Sequence, residues 1–370
     1  MLERILSLPT APFVEGHVLD FVRQFAHQRS LHCRADRFGN LVVSRTPTLP
    51  ERPIIIVAHA DHPGFIAREM LNKHLLSADW HGGVEAEYFV GTRVRFHAGL
   101  DGGIVGTVRA VQIDRTDSRR RVQRVTVEVR QEVPAGSPGT WDLPLFAMKG
   151  RIIHAARVDD IAGLGAALAA FDLLAEHNVR HQAAVLVTRA EEAGLIGASA
   201  AAFAHLLPRE SIIVSIECSQ MQPEAPQKAG PIVRVGDRAS QFDPDLGDWL
   251  CRLAAEIAGH DKSFLWQRKL MPGGTCEASV FQTAGYRAAG LCIPLGNYHN
   301  RNAKRKRIEA ETIDRQDWLG LVRLTAAVAA SSPAMATLRP LARRFRELVS
   351  RYRPLLRDPL AQAATAVRRP

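Results

Sequence analysis

The chain has 370 residues, 46% hydrophobic and 23% charged, with a formal net charge of +10. Those proportions are ordinary for a soluble globular protein, and the length admits a large core and more than one domain. MLERILSLPTAPFVEG has no continuous apolar segment long enough for a secretion signal, and no later run approaches a membrane span, so a cytoplasmic protein with no membrane partner is expected.

In chain order, Val14, Val18, Phe21, Val22 and Phe25 recur at helical spacing and predict an amphipathic helix within 12–28. RADRFGNLVVSR places a polar turn at Phe38 to Asn40 between extended segments, and PIIIVA at Pro53 to Ala58 reads as a strand. From about Leu71 to Met148 the segments are short, β-branched and punctuated by glycine and proline, without helical periodicity. That predicts an all-β insertion, a small barrel or sandwich. Its basic run, Arg119 to Arg124, reads as an exposed hairpin tip. Alternation of strands and helices resumes at Ile152: a helix after Asp159-Asp160, the strand AAVLV, a helix through AGLIGASAAAFAHLL, and the strand SIIVSI at Ser211 to Ile216. Further on come a helix at Asp248 to Gly259, a loop entering a helix at Gly273 to Ala284, the strand AAGLCIP, and a long helix from Thr312 to Ala330 with Asp314 in its first turn.

The expected domains are therefore a catalytic domain in two parts, 1–70 and 150–330, a β-rich insertion at 71–149, and a basic tail at 331–370. Residues 338–370 hold nine arginines against Glu347 and Asp358, a net of +7, which leaves +3 for the rest. The positive charge is a tail property and says little about any pocket, so nucleic acid is not the expected partner. An amphipathic helix around LARRFRELVSRY or a poorly ordered segment are both compatible with the tail sequence.

Several strands end in ligand-type side chains. AAVLV leads to the adjacent Glu191 and Glu192, PIIIVA to His59 and Asp61, SIIVSI to Glu217, and AAGLCIP through a short loop to His299. In an open α/β sheet, ligands bind in the crevice beyond the carboxyl ends of the strands, where all of these would converge. Adjacent carboxylates raise each other's pKa unless a cation sits between them or one keeps its proton. With Asp159 and Asp160 added, the set is two histidines and several carboxylates, too many for one tetrahedral ion, and suggests two divalent metals bridged by a carboxylate. The five cysteines form no CxxC pair, which argues against a thiolate zinc site and fits a reducing compartment.

These motifs resemble the tetrahedral, or glutamyl and deblocking, aminopeptidases, over roughly Leu8 to Ala330: DRFGNL at Asp36, AHADHPGF at Ala58, VDDIAG at Val158, EEAGLIGA at Glu191, SIE at Ser215, GGTCEA at Gly273 and NYHN at Asn297. The resemblance implies a three-layer α/β/α zinc-peptidase-like catalytic domain with an inserted all-β domain. It implies that His59, Asp159 and Glu217 hold one metal and Asp159, Glu192 and His299 the other, with Asp159 bridging. Asp61 would fix the His59 tautomer, and Glu191 would be the general base. Two divalent ions per subunit, zinc first with cobalt or manganese as alternatives, a peptide substrate, and a homo-oligomer ranging from a dimer to a dodecamer follow from the same likeness. Four features depart from the family pattern: Glu217 in place of aspartate, His62-Pro63 for Glu-Ile, Ile161 for arginine, and Cys276-Glu277 for Asp-Ala. Glu277 is also a candidate to meet the substrate's amino group. The expected function is a metal-dependent aminopeptidase acting on short peptides. The alternatives are an amidase, deacylase or carboxypeptidase with the same centre, or a non-catalytic scaffold with a basic binding tail.

Overall fold

The computed structural model describes residues 1–99, 102–114, 121–332, 334 and 340–356. An eight-stranded sheet forms its middle layer, in the order His32–Ala35, Leu41–Ser44, Ala184–Thr188, Ile54–His59, Ile212–Gln220, Arg287–Leu295, Ile232–Arg234, Gln267–Lys269. The four central strands run parallel, and as in other parallel sheets covered on both faces their sequences are continuous apolar runs. Ile54, Ile55, Ile56 and Val57 are all buried, each worth about 1.5–3 kcal/mol relative to exposure.

Alternate residues of each strand feed opposite layers. Ile54, Ile56 and Ala58 pack with the helices Gly16–Gln28, Ile161–Glu176, Pro244–His260 and Arg315–Ala330. Ile55 and Val57 pack with Ile196–Phe203 and Glu277–Thr283 on the other face. This is the expected three-layer α/β/α arrangement.

A closed six-stranded barrel interrupts it, with strands lying between Gly64 and Trp141. Inside, Phe65, Trp80, Phe89 and Trp141 stack edge-on and tilted, with centroids 4.5 to 6.2 Å apart. Closure pairs Phe65 with Gly139, and a Cβ on Gly139 would lie 2.6 Å from the Phe96 ring. Only glycine lets these strands approach across so crowded an interior. Gly64 already belongs to the barrel, whereas Ala147–Lys149 pairs outside it with Ile152–Ala155. Of the hairpin tip expected at Arg119 to Arg124, Arg119 and Arg120 lie outside the described residues, while Val122 to Arg124 already belong to the strand Val122–Val129.

Two expected boundaries move. The Ile212–Gln220 strand continues past Ile216 and carries Glu217 within it, because its ladder with Arg287–Leu295 runs on to Gln220. Glu311–Asp314 is a strand rather than the start of the last helix, since Thr312 and Ile313 pair with Ile152–Ala155. Asp314 then caps the Arg315–Ala330 helix, accepting from the Gln316 and Asp317 amides. In the tail, a helix spans Pro340–Leu356.

Candidate metal centre

His59 ends its strand, Glu191 and Glu192 follow Ala184–Thr188, and Glu217 lies on Ile212–Gln220. These strands are neighbours in the sheet, so the three positions fall at one edge. Asp159 and Asp160 arrive from the loop before Ile161–Glu176, and Gly163 makes room for them: a Cβ there would meet the Asp160 Oδ1 at 2.1 Å. His299 comes from the turn after Arg287–Leu295, in the left-handed region at φ 55°, between Asn297 at φ 52° and Asn300 at φ 62°. Asparagine tolerates that region, and both flanking side chains tie the turn down. Asn297 donates to the Ala310 carbonyl and Asn300 to that of Ala156.

The result is a tight cluster. His59 Nε2 lies 3.9 Å from Asp159 Oδ1 and 3.9 Å from Glu191 Oε2. His299 Nε2 lies 3.7 Å from Asp159 Oδ2 and 3.3 Å from Glu192 Oε1. The two Asp159 oxygens thus face different histidines. Within the set {His59, Asp159, Glu217}, one ligand atom from each residue lies within 4.8 Å of the others, and the same holds for {Asp159, Glu192, His299}. {His59, Glu191, Glu192} meets that limit as well.

Asp61 is placed differently from its expected role. Its Oδ1 and Oδ2 accept the backbone N–H groups of Glu191 and Glu192, each at 2.9 Å. The His59 Nδ1 is closer to the Asp61 carbonyl, at 3.0 Å, than to its carboxylate, at 3.5 Å. The carboxylate chiefly anchors the glutamate pair, while the backbone of the same residue orients the ring. Glu277 is fully buried beside Cys276, which lines the cavity, and both of its carboxylate oxygens lack a hydrogen-bond partner.

Three further residues shape the site: Glu311 and Arg234, which sequence reasoning passed over, and His62, which it noted only as a departure from the family pattern. Glu311 accepts the backbone N–H groups of Val158 and Asp159, and His62 contacts the Asp159 carbonyl at 2.6 Å and Asn300 Oδ1 at 3.0 Å. Arg234 is buried in the wall of the cavity along with Glu217, Met271, Gly274 and Tyr298. An arginine inside the β-branched run PIVRV was the available signal for it.

Electrostatically the cluster is unfavourable alone. Burial, then repulsion from Glu192 and Glu217, pushes Asp159 well above the usual carboxylate range. Burial also pushes Glu191 well up, against the lowering charge of His59 and with repulsion from Glu192 and Glu217 adding to the rise. Glu192 is held below its ordinary value by the charge of His299, although burial works against it. Asp159 Oδ1, Glu217 Oε1 and His299 Nε2 are buried without a hydrogen-bond partner, an arrangement that costs stability unless something else occupies those lone pairs. Nitrogen and oxygen donors, crowded carboxylates and orphaned atoms together fit a divalent cation.

The family model described as M42 glutamyl aminopeptidase matches residues 39–312. Among solved structures, an aminopeptidase from the archaeon Desulfurococcus kamchatkensis is similar at 20% identity and a TM-score of 0.72, over 91% of this chain and 95% of that one. A TET aminopeptidase from a marine sediment archaeon of the Thaumarchaeota is 18% identical with a TM-score of 0.73, over 90% and 97%. The TET1 peptidase of Pyrococcus horikoshii, described as assembling into a tetrahedron or a large octahedral shell, is 20% identical with a TM-score of 0.70, over 89% and 98%. The chain belongs to the M42 glutamyl aminopeptidase family and is a metal-dependent aminopeptidase.

Proposed function

We propose that this aminopeptidase works through two divalent ions, zinc in the first instance, held by His59, Asp159 and Glu217 on one side and by Asp159, Glu192 and His299 on the other. The observation that carries the reading is Asp159, whose two oxygens address two histidines at 3.9 and 3.7 Å. Bound there, such ions would lower the pKa of a water and polarise the scissile carbonyl. Glu191 takes the proton of the attacking water and returns it to the leaving amine. The neighbouring Glu192 lies 3.3 Å from His299, whereas Glu191 lies 3.9 Å from His59, and this difference supports giving metal binding to the first and proton transfer to the second. Asp61 holds both in register through their backbone N–H groups. We assign the barrel, Gly64 to Trp141, to a subunit-contact domain and infer a homo-oligomer, by analogy with the assembling TET1 peptidase.

The test is removal and return of metal. Exhaustive chelation should abolish hydrolysis of aminoacyl amides, and zinc, cobalt or manganese should restore it. A free amino terminus should be required; preference for N-acylated substrates would favour the deacylase alternative instead.

A further inference from the structure

The Pro340–Leu356 helix has no place in the chemistry above, yet its sequence is sharply two-sided. Phe345, Leu348, Val349 and Tyr352 follow the i, i+3, i+4, i+7 rule and form one stripe, and all four are exposed, Phe345 by 59% and Val349 by 58%. At 3.6 residues per turn, Arg344 and Arg351 run along one edge of that stripe and Arg346 and Arg353 along the other. Arg343 and Glu347 lie opposite, 3.6 Å apart, so the helix's single acid is already paired with a fifth arginine away from the apolar face.

We propose that this helix lies on an anionic phospholipid surface, with the four apolar side chains among the acyl chains and the four flanking arginines at the phosphates. The distribution of charge selects this partner over two others. A nucleic acid would meet the arginines but leave an aromatic and aliphatic stripe in water. A second copy of the helix, packed stripe to stripe, would bring arginine rows against arginine rows, the like-charge arrangement that disfavours pairing. A lipid interface satisfies both features, because arginine stems follow the apolar surface while their heads reach the anionic layer. The composition-based expectation of no membrane partner rested on the lack of a spanning segment. Among the described residues no helix is long and apolar enough to cross a membrane, and a helix lying in the interface needs no such length.

The full chain should co-sediment with phosphatidylcholine vesicles containing phosphatidylglycerol, not with phosphatidylcholine alone, and high salt should weaken the binding. The double substitution F345E/V349E should weaken it at least about tenfold. R344Q/R351Q should weaken it by about fivefold per arginine. Both variants alter exposed positions outside the site, so hydrolysis of a small aminoacyl amide serves as the folding control. Failure of the folded full chain to bind anionic vesicles overturns the proposal. So does binding that F345E/V349E leaves intact, tighter binding to RNA that only the arginine variant weakens, or a change of oligomer mass in F345E/V349E without vesicles, which would assign the stripe to a second copy.

Discussion

Asp61 sets the positions of two neighbours at once. Its oxygens each take one backbone N–H from the glutamate pair, and an amide in its place can accept only one of them. Asp61→Asn should therefore lower kcat by about 10- to 100-fold, the usual cost of losing a group that orients a metal site, with the fold retained by circular dichroism. Unchanged turnover would mean that the pair is held by other contacts. Glu277 offers a pH-dependent readout. Burial chiefly raises its pKa from 4.5 to about 8, so between those values the folded chain keeps a proton that the unfolded chain has released. Stability from this group is thus lost progressively as pH rises from about 4.5 toward 8. In metal-free protein, Glu277→Gln should flatten that part of the Tm-versus-pH curve; curves that stay parallel would contradict the assignment.

At the scale of elements, the Arg315–Ala330 helix begins where a buried side chain tells it to. Asp314 accepts from the Gln316 and Asp317 amides at 2.8 and 3.2 Å and also meets Arg151. Asp314→Ala should cost about 1–2 kcal/mol in a urea titration, while an unchanged midpoint would mean that water caps the helix equally well. This element also shows where reading the sequence stops. The parallel strands were legible because apolar runs such as IIIVA and AVLVT need no partner to declare themselves. Thr312 and Ile313 looked helical beside the long apolar pattern that follows; their pairing with Ile152–Ala155 is a long-range choice that local sequence does not carry. Barrel closure was hidden for the same reason: alternation marks the faces of a strand, but only the approach of Gly139 to Phe65 and Phe96 joins the ends.

At the scale of the whole molecule, the sheet and its loops gather five proposed ligands from five separated segments into one cluster. Their types and order were readable in the sequence because each stands in or just beyond the end of an apolar run or opens a helix. What was not readable was the surrounding shell: Glu311 and Arg234 become neighbours of the site only through the folded topology. The division of labour within the glutamate pair is the central claim, and it is tested most directly by measuring metal content and kcat side by side on Glu191→Gln and Glu192→Gln. The account predicts that Glu192→Gln loses metal and is partly rescued by excess zinc or cobalt. Glu191→Gln should keep its metal and lose turnover by about 10²- to 10⁴-fold without rescue. If Glu191→Gln is instead the variant that loses metal and recovers on adding it, the two roles are exchanged and the account is contradicted.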